Sequence, residues 1–408
     1  MRASVSGTTL AIVIVTWNGR DDTIRALDAL ALQLQPTSDG NAAVIVVDNG
    51  STDGTVLAIR DRLPGLQVVE LPENRGFTGG VLAGVAASTA DWIILLNNDA
   101  VPQPGWLQHY QTAAAGAERD VIAYGGKIVD MTGGLIDFIG GSMTFDGHAF
   151  QNGFRRQLSE VAEPDSGSPI FFACGGNMMV RRREFILLEG FDDDYFAYLE
   201  DVDFGWRAWL SGWQIRYLPQ ALVRHRSSAT SNRLGDFERG VLFEKNALQT
   251  ALKNYEDALL GPMSGTLFLT LLHRMHRYVL DRNRYTDALG RSPLGSLPSS
   301  DPRPVSLWSR LKRRLTPGSQ HPHLTDELTT MQFRAIEWFF ANSERIMEKR
   351  RRVQSRRVRS DKEIFERFPL SYIPTYHGDD VVMGSTLFQF LKPDISSIER
   401  SLSEVTRS

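Results

Sequence analysis

The sequence contains a single cysteine, Cys174, so no internal disulfide can form, and this usage fits a reducing compartment. No apolar run reaches 18 residues, which argues against a membrane-spanning helix. Met1 to Thr9 carry one arginine and no apolar core, so no secretory signal is visible there. Positive charge is not in excess either, and a net charge of −3 argues against a general nucleic-acid binder. These absences leave a soluble, cytoplasmic protein as the expectation, with any membrane contact peripheral. What is present is ordinary for a globular chain: 42% hydrophobic and 23% charged over 408 residues, enough for one large domain, a smaller one and a substantial core.

The first hundred residues alternate strand and helix patterns. Thr9–Thr16, Ala42–Val47, Leu66–Leu71 and Asp91–Leu96 are short apolar runs bounded by turn residues, the pattern of buried strands. Between them, Asp21–Leu34, Thr55–Leu63 and Phe77–Ser88 read as helices. The alternation predicts an α/β fold with a mostly parallel sheet flanked by helices. After about Ala123 it loosens, and the pairs Gly125-Gly126, Gly133-Gly134 and Gly140-Gly141 suggest hairpins. Val202, Trp206, Trp209 and Trp213 recur at the helix period, so these tryptophans are expected in the core. Beyond Asp236 the pattern turns helical, with Leu242–Leu260 and Leu267–Leu280 as helices. Six prolines then mark 291–323 as a linker or loop. Leu324–Arg367 reads as one long helix with eight Lys/Arg between Arg345 and Arg359. The expected organisation is an α/β domain over 1–235, a helical extension over 236–290, the Pro-rich loop over 291–323, and a basic helix with a tail over 324–408. A solvated face is the default for the basic run. Anionic lipid headgroups or a lipid-diphosphate acceptor are the functional alternative.

Acidic clusters carry the chemical signal. Asp48 follows one apolar run and Asp99, in Asn97-Asn98-Asp99, follows another; Asp192-Asp193-Asp194 leads into Glu200-Asp201-Val202-Asp203. In parallel sheets ligands collect at the carboxyl ends of strands, so carboxylates just past them face a shared crevice. That suits a metal-bridged diphosphate and a general base. Each cluster also has a plain structural reading: Asp53 can cap the helix that follows it, and Asp203 can complement a helix dipole.

Val15-Thr16-Trp17-Asn18, followed some thirty residues later by Val47-Asp48-Asn49-Gly50-Ser51-Thr52-Asp53-Gly54-Thr55, resembles the nucleotide-binding half of an inverting family 2 glycosyltransferase with the GT-A fold. Similar chains use rhamnose, galactofuranose, N-acetylglucosamine or glucose donors. The resemblance covers about Ala11 to Arg226. It implies that Val15, Thr16, Trp17 and Asp48 contact the donor's pyrimidine and that Arg75, before a glycine-rich helix start, lies beside base and phosphates. Asn97-Asn98-Asp99 stands where the family has Asp-x-Asp, so Asp99 is expected on a divalent cation, Mn²⁺ or Mg²⁺, and Asn97 on ribose. An amide is a weaker ligand for a hard cation, and His225, 24 residues past Asp201, is expected to complete the site. Gly175 and Gly176 match the loop beneath the donor sugar. Asp201 matches the family's base, with Glu200 orienting acceptor or backbone. Cys174 reads as packing. The expected partners are a nucleoside-diphosphate sugar (UDP- or dTDP-) and a glycan or lipid-linked glycan acceptor, with self-association left open. Two rivals are a nucleotidyltransferase, which would need a basic glycine-rich loop after the first strand, and a non-catalytic nucleotide-sugar-binding module, which would have lost Asp99 or Asp201.

Overall fold

The buried apolar runs form the centre of a nine-stranded mixed sheet. In the computed structural model, residues 8–34, 42–226, 235–282, 327–376 and 378–401 are described. The Pro-rich stretch expected over 291–323 lies outside them. The first half of the chain gives β1 (Leu10–Thr16), α1 (Arg20–Ala31), β2 (Ala43–Asp48), α2 (Thr55–Arg62), β3 (Gln67–Glu70), α3 (Gly76–Ala86), β4 (Trp92–Asn97), β5 (Ala100–Pro102), α4 (Trp106–Ala115), β6 (Val121–Asp130) and β7 (Ile136–Phe138). A hairpin of β8 (Gly141–Met143) and β9 (Ala149–Gln151) follows, then β10 (Asn177–Arg181), α5 (Arg182–Leu187), α6 (Glu200–Leu210) and β11 (Gln214–His225).

Strand order is β3-β2-β1-β4-β10-β6-β11-β5, with β7 on β6. The β3-β2-β1-β4 half is parallel, as the alternation predicts. The other half is mixed: β10 runs antiparallel between β4 and β6, and β5 runs antiparallel on β11. Gly125 and Gly126 turn no hairpin. They lie inside β6 because a Cβ on Gly126 would stand 2.2 Å from Asn177 Nδ2 and 2.5 Å from the Ala221 carbonyl. Asn177, fully buried, accepts from Trp106 Nε1 (2.9 Å) and donates to the carbonyls of Lys127 (3.0 Å) and Ala221 (2.8 Å).

The C-terminal third packs on α6. It comprises α7 (Asp236–Asn254), α8 (Asp257–Arg282), α9 (Glu327–Ala341), α10 (Ser343–Ser355), α11 (Asp361–Arg367), β12 (Leu370–Tyr372), α12 (Asp379–Met383), α13 (Thr386–Leu391) and β13 (Ser397–Glu399). The helix pattern expected over 242–260 breaks at Tyr255. There the backbone is extended, the ring stands edge-on to Trp206 at 4.8 Å, and the hydroxyl donates to the Phe145 carbonyl (2.8 Å). The single long helix expected over 324–367 is three helices, and α11 opens on a capping box of Ser360 and Glu363. Trp206 and Trp209 are buried, as their spacing predicts, and meet Phe365 and Phe368 across this seam. Trp213 lies past the end of α6 and is only partly buried.

The basic run is engaged with the protein's own acids and carbonyls. Lys349 bridges Asp192 and Asp194, Arg345 meets Asp194 (3.0 Å), and Arg352 and Arg356 meet Glu189. Buried Arg350 donates to the carbonyls of Leu252 and Tyr255, two of the unpaired carbonyls where α7 ends, and Arg359 donates to those of Trp209, Gly212 and Trp213. Burial alone would raise the Asp192 pKa, but Lys253 and Lys349 hold it far below the usual carboxylate range. Asp192 and Asp194 therefore serve as counter-charges for the C-terminal helices and do not face a ligand crevice. Arg345 and Arg351 are its exposed members.

Candidate active site

The end of β1 and the end of β2 are laced together. Asn18 has a positive φ of 50°; its N–H donates to Ser51 Oγ (2.8 Å), and its side-chain oxygen accepts from Thr52 N–H (2.7 Å). This fixes Trp17 beside the loop after β2. Val15 is partly buried and Thr16 fully so, with its hydroxyl 2.8 Å from that of Thr23. Asp48 is 3% exposed. One of its oxygens accepts from Ser51 N–H (3.0 Å), and the other is buried with no hydrogen-bond partner among the described residues. An unpaired buried carboxylate oxygen is costly, so this atom points to a donor group supplied by a ligand. Asn49 ties the same loop to residues 74–76: it accepts from Arg75 N–H (2.9 Å) and donates to the Gly76 carbonyl (2.9 Å). Arg75 itself is half-exposed at the start of α3 and pairs with Asp193 at 3.3 Å.

A second group forms where β4, β5 and β11 meet. Antiparallel pairing sets His225 opposite Ala100, next to Asp99. His225 Nε2 lies 2.9 Å from Asp99 Oδ1 and 3.2 Å from Asn97 Nδ2, while Nδ1 lies 2.6 Å from Asp137 Oδ2 on β7. Burial lowers the His225 pKa, but the two carboxylates outweigh it and raise the value to about 10. The imidazole is therefore oriented by Asp137 on one side and presents its other nitrogen to Asp99. This is the carboxylate–histidine arrangement that orients metal ligands. Among the described residues no cluster of three or more His, Cys, Asp or Glu is arranged to hold a metal. Asp99 and His225 offer one carboxylate and one imidazole, a pair that suits a hard or borderline cation once the imidazole gives up the proton it shares with Asp99.

The third group joins the other two. Gly175 N–H donates to Asp201 Oδ2 (3.1 Å), and the Gly176 carbonyl accepts from Asn97 N–H (3.1 Å). A Cβ on Gly176 would stand 2.8 Å from Asn97 Nδ2, and one on Gly175 would stand 2.9 Å from the Phe77 ring, so both glycines allow close backbone approach. Asp201 and Glu200 open α6 after Phe196, Tyr198 and Leu199, three non-glycine residues with φ between 63° and 71°. Burial raises the Asp201 pKa to about 6 against the two backbone N–H groups that lower it. Glu200 is raised well above its ordinary value, first by burial and then by Asp201, and one of its oxygens is buried without a partner among the described residues. Asp203 behaves otherwise: Arg207 (2.8 Å) and Lys253 (2.9 Å) keep it ionised as a structural anchor. Burial pushes the Cys174 thiol well up, consistent with packing.

Hydrogen bonds thus run from Asp201 through Gly175-Gly176 to Asn97, His225 and Asp99. Asn49, which holds the Asp48 loop, lies in the Val47–Thr55 run, which by itself assigns it no role, and Asp137, which holds this path, carries no sequence signal. Asp137 lies on a three-residue strand without a motif, and only strand pairing brings it to His225.

Comparison with known proteins agrees with this geometry. Residues 11–186 match the model for Glycosyl transferase family 2. The chain is 29% identical over 248 residues to an N-acetylglucosaminyl-diphospho-decaprenol L-rhamnosyltransferase of Mycobacterium tuberculosis, covering 55% of this chain and 78% of that protein. It is 26% identical over 252 residues to the O-antigen biosynthesis protein RfbC of Myxococcus xanthus, covering 56% of this chain and 18% of that one. Among solved structures it is similar to a Pyrobaculum calidifontis mannosyltransferase in complex with GDP-Man and Mn²⁺, at 17% identity and a TM-score of 0.47 over 83% of this chain and 88% of that one. The protein is a glycosyltransferase of the GT-A fold. Residues 11–186 carry this likeness to glycosyltransferase family 2.

Proposed function

We propose that this enzyme transfers a sugar, with inversion, from a UDP- or dTDP-sugar to a hydroxyl of a glycan or lipid-linked glycan. The observation that carries the reading is the continuous hydrogen-bonded path from Asp201 to the Asp99–His225 pair. It sets a carboxylate with a pKa of about 6 on one side of the donor-sugar loop and a candidate cation-binding pair on the other. Asp201 is the base: the acceptor oxygen bonds to the anomeric carbon, the bond from that carbon to the diphosphate breaks, and the acceptor proton passes to Asp201. Gly175 N–H holds the Asp201 carboxylate in place. Glu200, whose carboxyl burial raises well above its ordinary range, orients acceptor or backbone. Asp48 accepts from the base or ribose with its unpaired oxygen, the backbone at Val15, Thr16 and Trp17 flanks the base, Asn97 meets ribose, and Arg75 with the start of α3 faces the phosphates. A divalent cation, Mn²⁺ or Mg²⁺, would be held by Asp99 and His225 and supplies positive charge against the leaving diphosphate.

The activity named for the Mycobacterium relative favours a deoxyhexosyl donor and a polyprenyl-diphosphate-linked acceptor, which would bring the enzyme to a membrane surface. Lys349, Arg350 and Arg356 of the basic run are engaged within the protein, which leaves Arg345 and Arg351 as its exposed cations. Thermal shift with UDP-, dTDP- and GDP-sugars, each with and without Mn²⁺, tests the reading, since ligand bound to the native state stabilises it. One nucleotide class should separate from the others and need the cation. Chelation by EDTA should abolish turnover, and His225→Ala should raise the Mn²⁺ requirement without unfolding the protein. Full activity after thorough chelation would overturn the cation site.

A further inference from the structure

The segment that presents Glu200 and Asp201 has no regular structure of its own to hold it. Between Tyr195 and Leu199 the backbone passes through three left-handed non-glycine residues, a conformation L-residues adopt only when their surroundings impose it. Its carbonyls must find donors elsewhere. Phe196 O accepts from Thr78 N–H at the start of α3 (3.2 Å). Ala197 O and Tyr198 O accept from one side-chain amide, Asn246 Nδ2 on α7, at 2.8 and 2.7 Å, and Tyr195 O, which also accepts from Ala197 N–H (2.7 Å), lies 3.1 Å from the same nitrogen.

Asn246 is fully buried, and its own oxygen accepts from Lys245 Nζ (2.9 Å) and Gln249 Nε2 (3.0 Å), which fixes the amide's orientation. The preceding acids are held from the same side. Lys253 of α7 binds Asp192 (2.6 Å), Lys349 of α10 binds Asp192 and Asp194, and Tyr195 Oη lies 2.6 Å from Thr250 Oγ1 of α7. The family match ends at residue 186, and α7 lies beyond it.

We infer that Asn246 is a positioning residue for the transfer reaction: by donating to the carbonyls of Ala197 and Tyr198 it sets the left-handed turn that aims Asp201 at the acceptor hydroxyl. The inference rests on the reading of Asp201 as the base. Asn is suited to the task because its NH₂ group offers two donors in a plane, whereas aspartate would place a carboxylate against these carbonyls. The side-chain hydrogen bonds of Asn246 go to Lys245, Gln249 and the turn, and among the described residues none goes to β1, β2 or the loop after β2, so removing the amide should spare the donor side.

The test compares Asn246→Ala with Tyr255→Phe, which removes another buried hydrogen bond at the end of α7 (to Phe145) without touching the turn. Hydrogen exchange of the unliganded full chain is followed in peptides spanning 194–204. Turnover and donor KM are measured with the UDP- or dTDP-sugar giving the largest thermal shift. Asn246→Ala should speed exchange in that peptide and lower kcat by ~10-fold to ~10²-fold, the cost of a misplacement near 1 Å, with donor KM within about twofold. Tyr255→Phe should lower Tm yet keep kcat and the exchange of 194–204. If Asn246→Ala does not fold, Asn246→Ser, which keeps one donor, is judged by the same criteria. A kcat within twofold of wild type, unchanged exchange, or an equal loss in Tyr255→Phe would overturn the inference. Full activity of Asp201→Asn would instead remove the base assignment, an outcome separable from these because the exchange readout does not depend on it.

Discussion

Replacing Asp201 with asparagine should make the enzyme both inactive and more stable at neutral pH. In the folded protein burial raises this carboxyl from an ordinary 3.8 to about 6, a displacement of roughly two pH units, or about 3 kcal/mol. The sign follows from proton linkage. The folded state binds this proton more tightly than the unfolded chain, so no cost is felt well below pH 3.8. The full cost is present once pH has risen past 6. Asparagine removes the charge but loses one of the two backbone N–H bonds from Gly175 and Val202, about 1 kcal/mol. The net gain at pH 7.5 is then about 2 kcal/mol, shrinking as pH falls through 6 and becoming a small loss near pH 4. Glu200 interacts with Asp201, so the acid limb of the rate profile reports the pair. Urea unfolding of both proteins at pH 4.5, 6 and 7.5 measures the first effect. Release of nucleoside diphosphate measures the second, which should fall at least ~10²-fold. Unchanged or lowered stability of Asp201→Asn across that range would refute the burial argument, and near-wild-type turnover would refute the base assignment.

Glu200→Gln should keep turnover within ~10-fold, because Glu200 orients groups and does not take the acceptor proton; steady-state rates across about pH 5 to 8 check this. Asp137→Asn should weaken Mn²⁺ binding ~10- to ~100-fold by loosening the His225 ring, as read by calorimetric titration. Gly176→Ala should push Asn97 off its position, since the new Cβ would sit 2.8 Å from Nδ2; donor KM should rise with little change in Tm. Arg350→Met should destabilise by about 1–3 kcal/mol, because the partly buried Leu252 carbonyl loses its side-chain donor while Tyr255 O keeps only Gln354 Nε2 (3.2 Å), with the change read from the urea midpoint.

The parallel half of the sheet was legible because β1, β2 and β4 are buried on both faces, which demands unbroken apolar runs that end at turn residues. Asp48, Asp99 and Asp201 were legible for the same reason: strand and helix ends fix where such side chains stand. Other features depend on contacts between distant segments and leave no local trace. Gly125 and Gly126 read as a turn, yet they are interior strand residues emptied for Asn177 and the Ala221 carbonyl. Asp192 and Asp194 read as ligand-facing acids, and the basic run as an outward face. Each is the other's partner, and charge alone does not reveal which opposite charge it will meet. Asn246 is invisible in sequence because its role lies in carbonyls some 50 residues away.

The salt link from Lys349 to Asp194 spans 155 residues of chain. At a synthesis rate of ~5–20 residues per second, that separation is ~8 to ~30 s of translation. β1, β2 and β4, with the loops that carry Asp48 and Asp99, are complete long before α10 leaves the ribosome. The nascent chain thus passes through a period in which Asp192 can already meet Lys253 but Lys349 is still to be made. The order of synthesis gives the molecule its strand ends first and the last tie on the turn before α6 late.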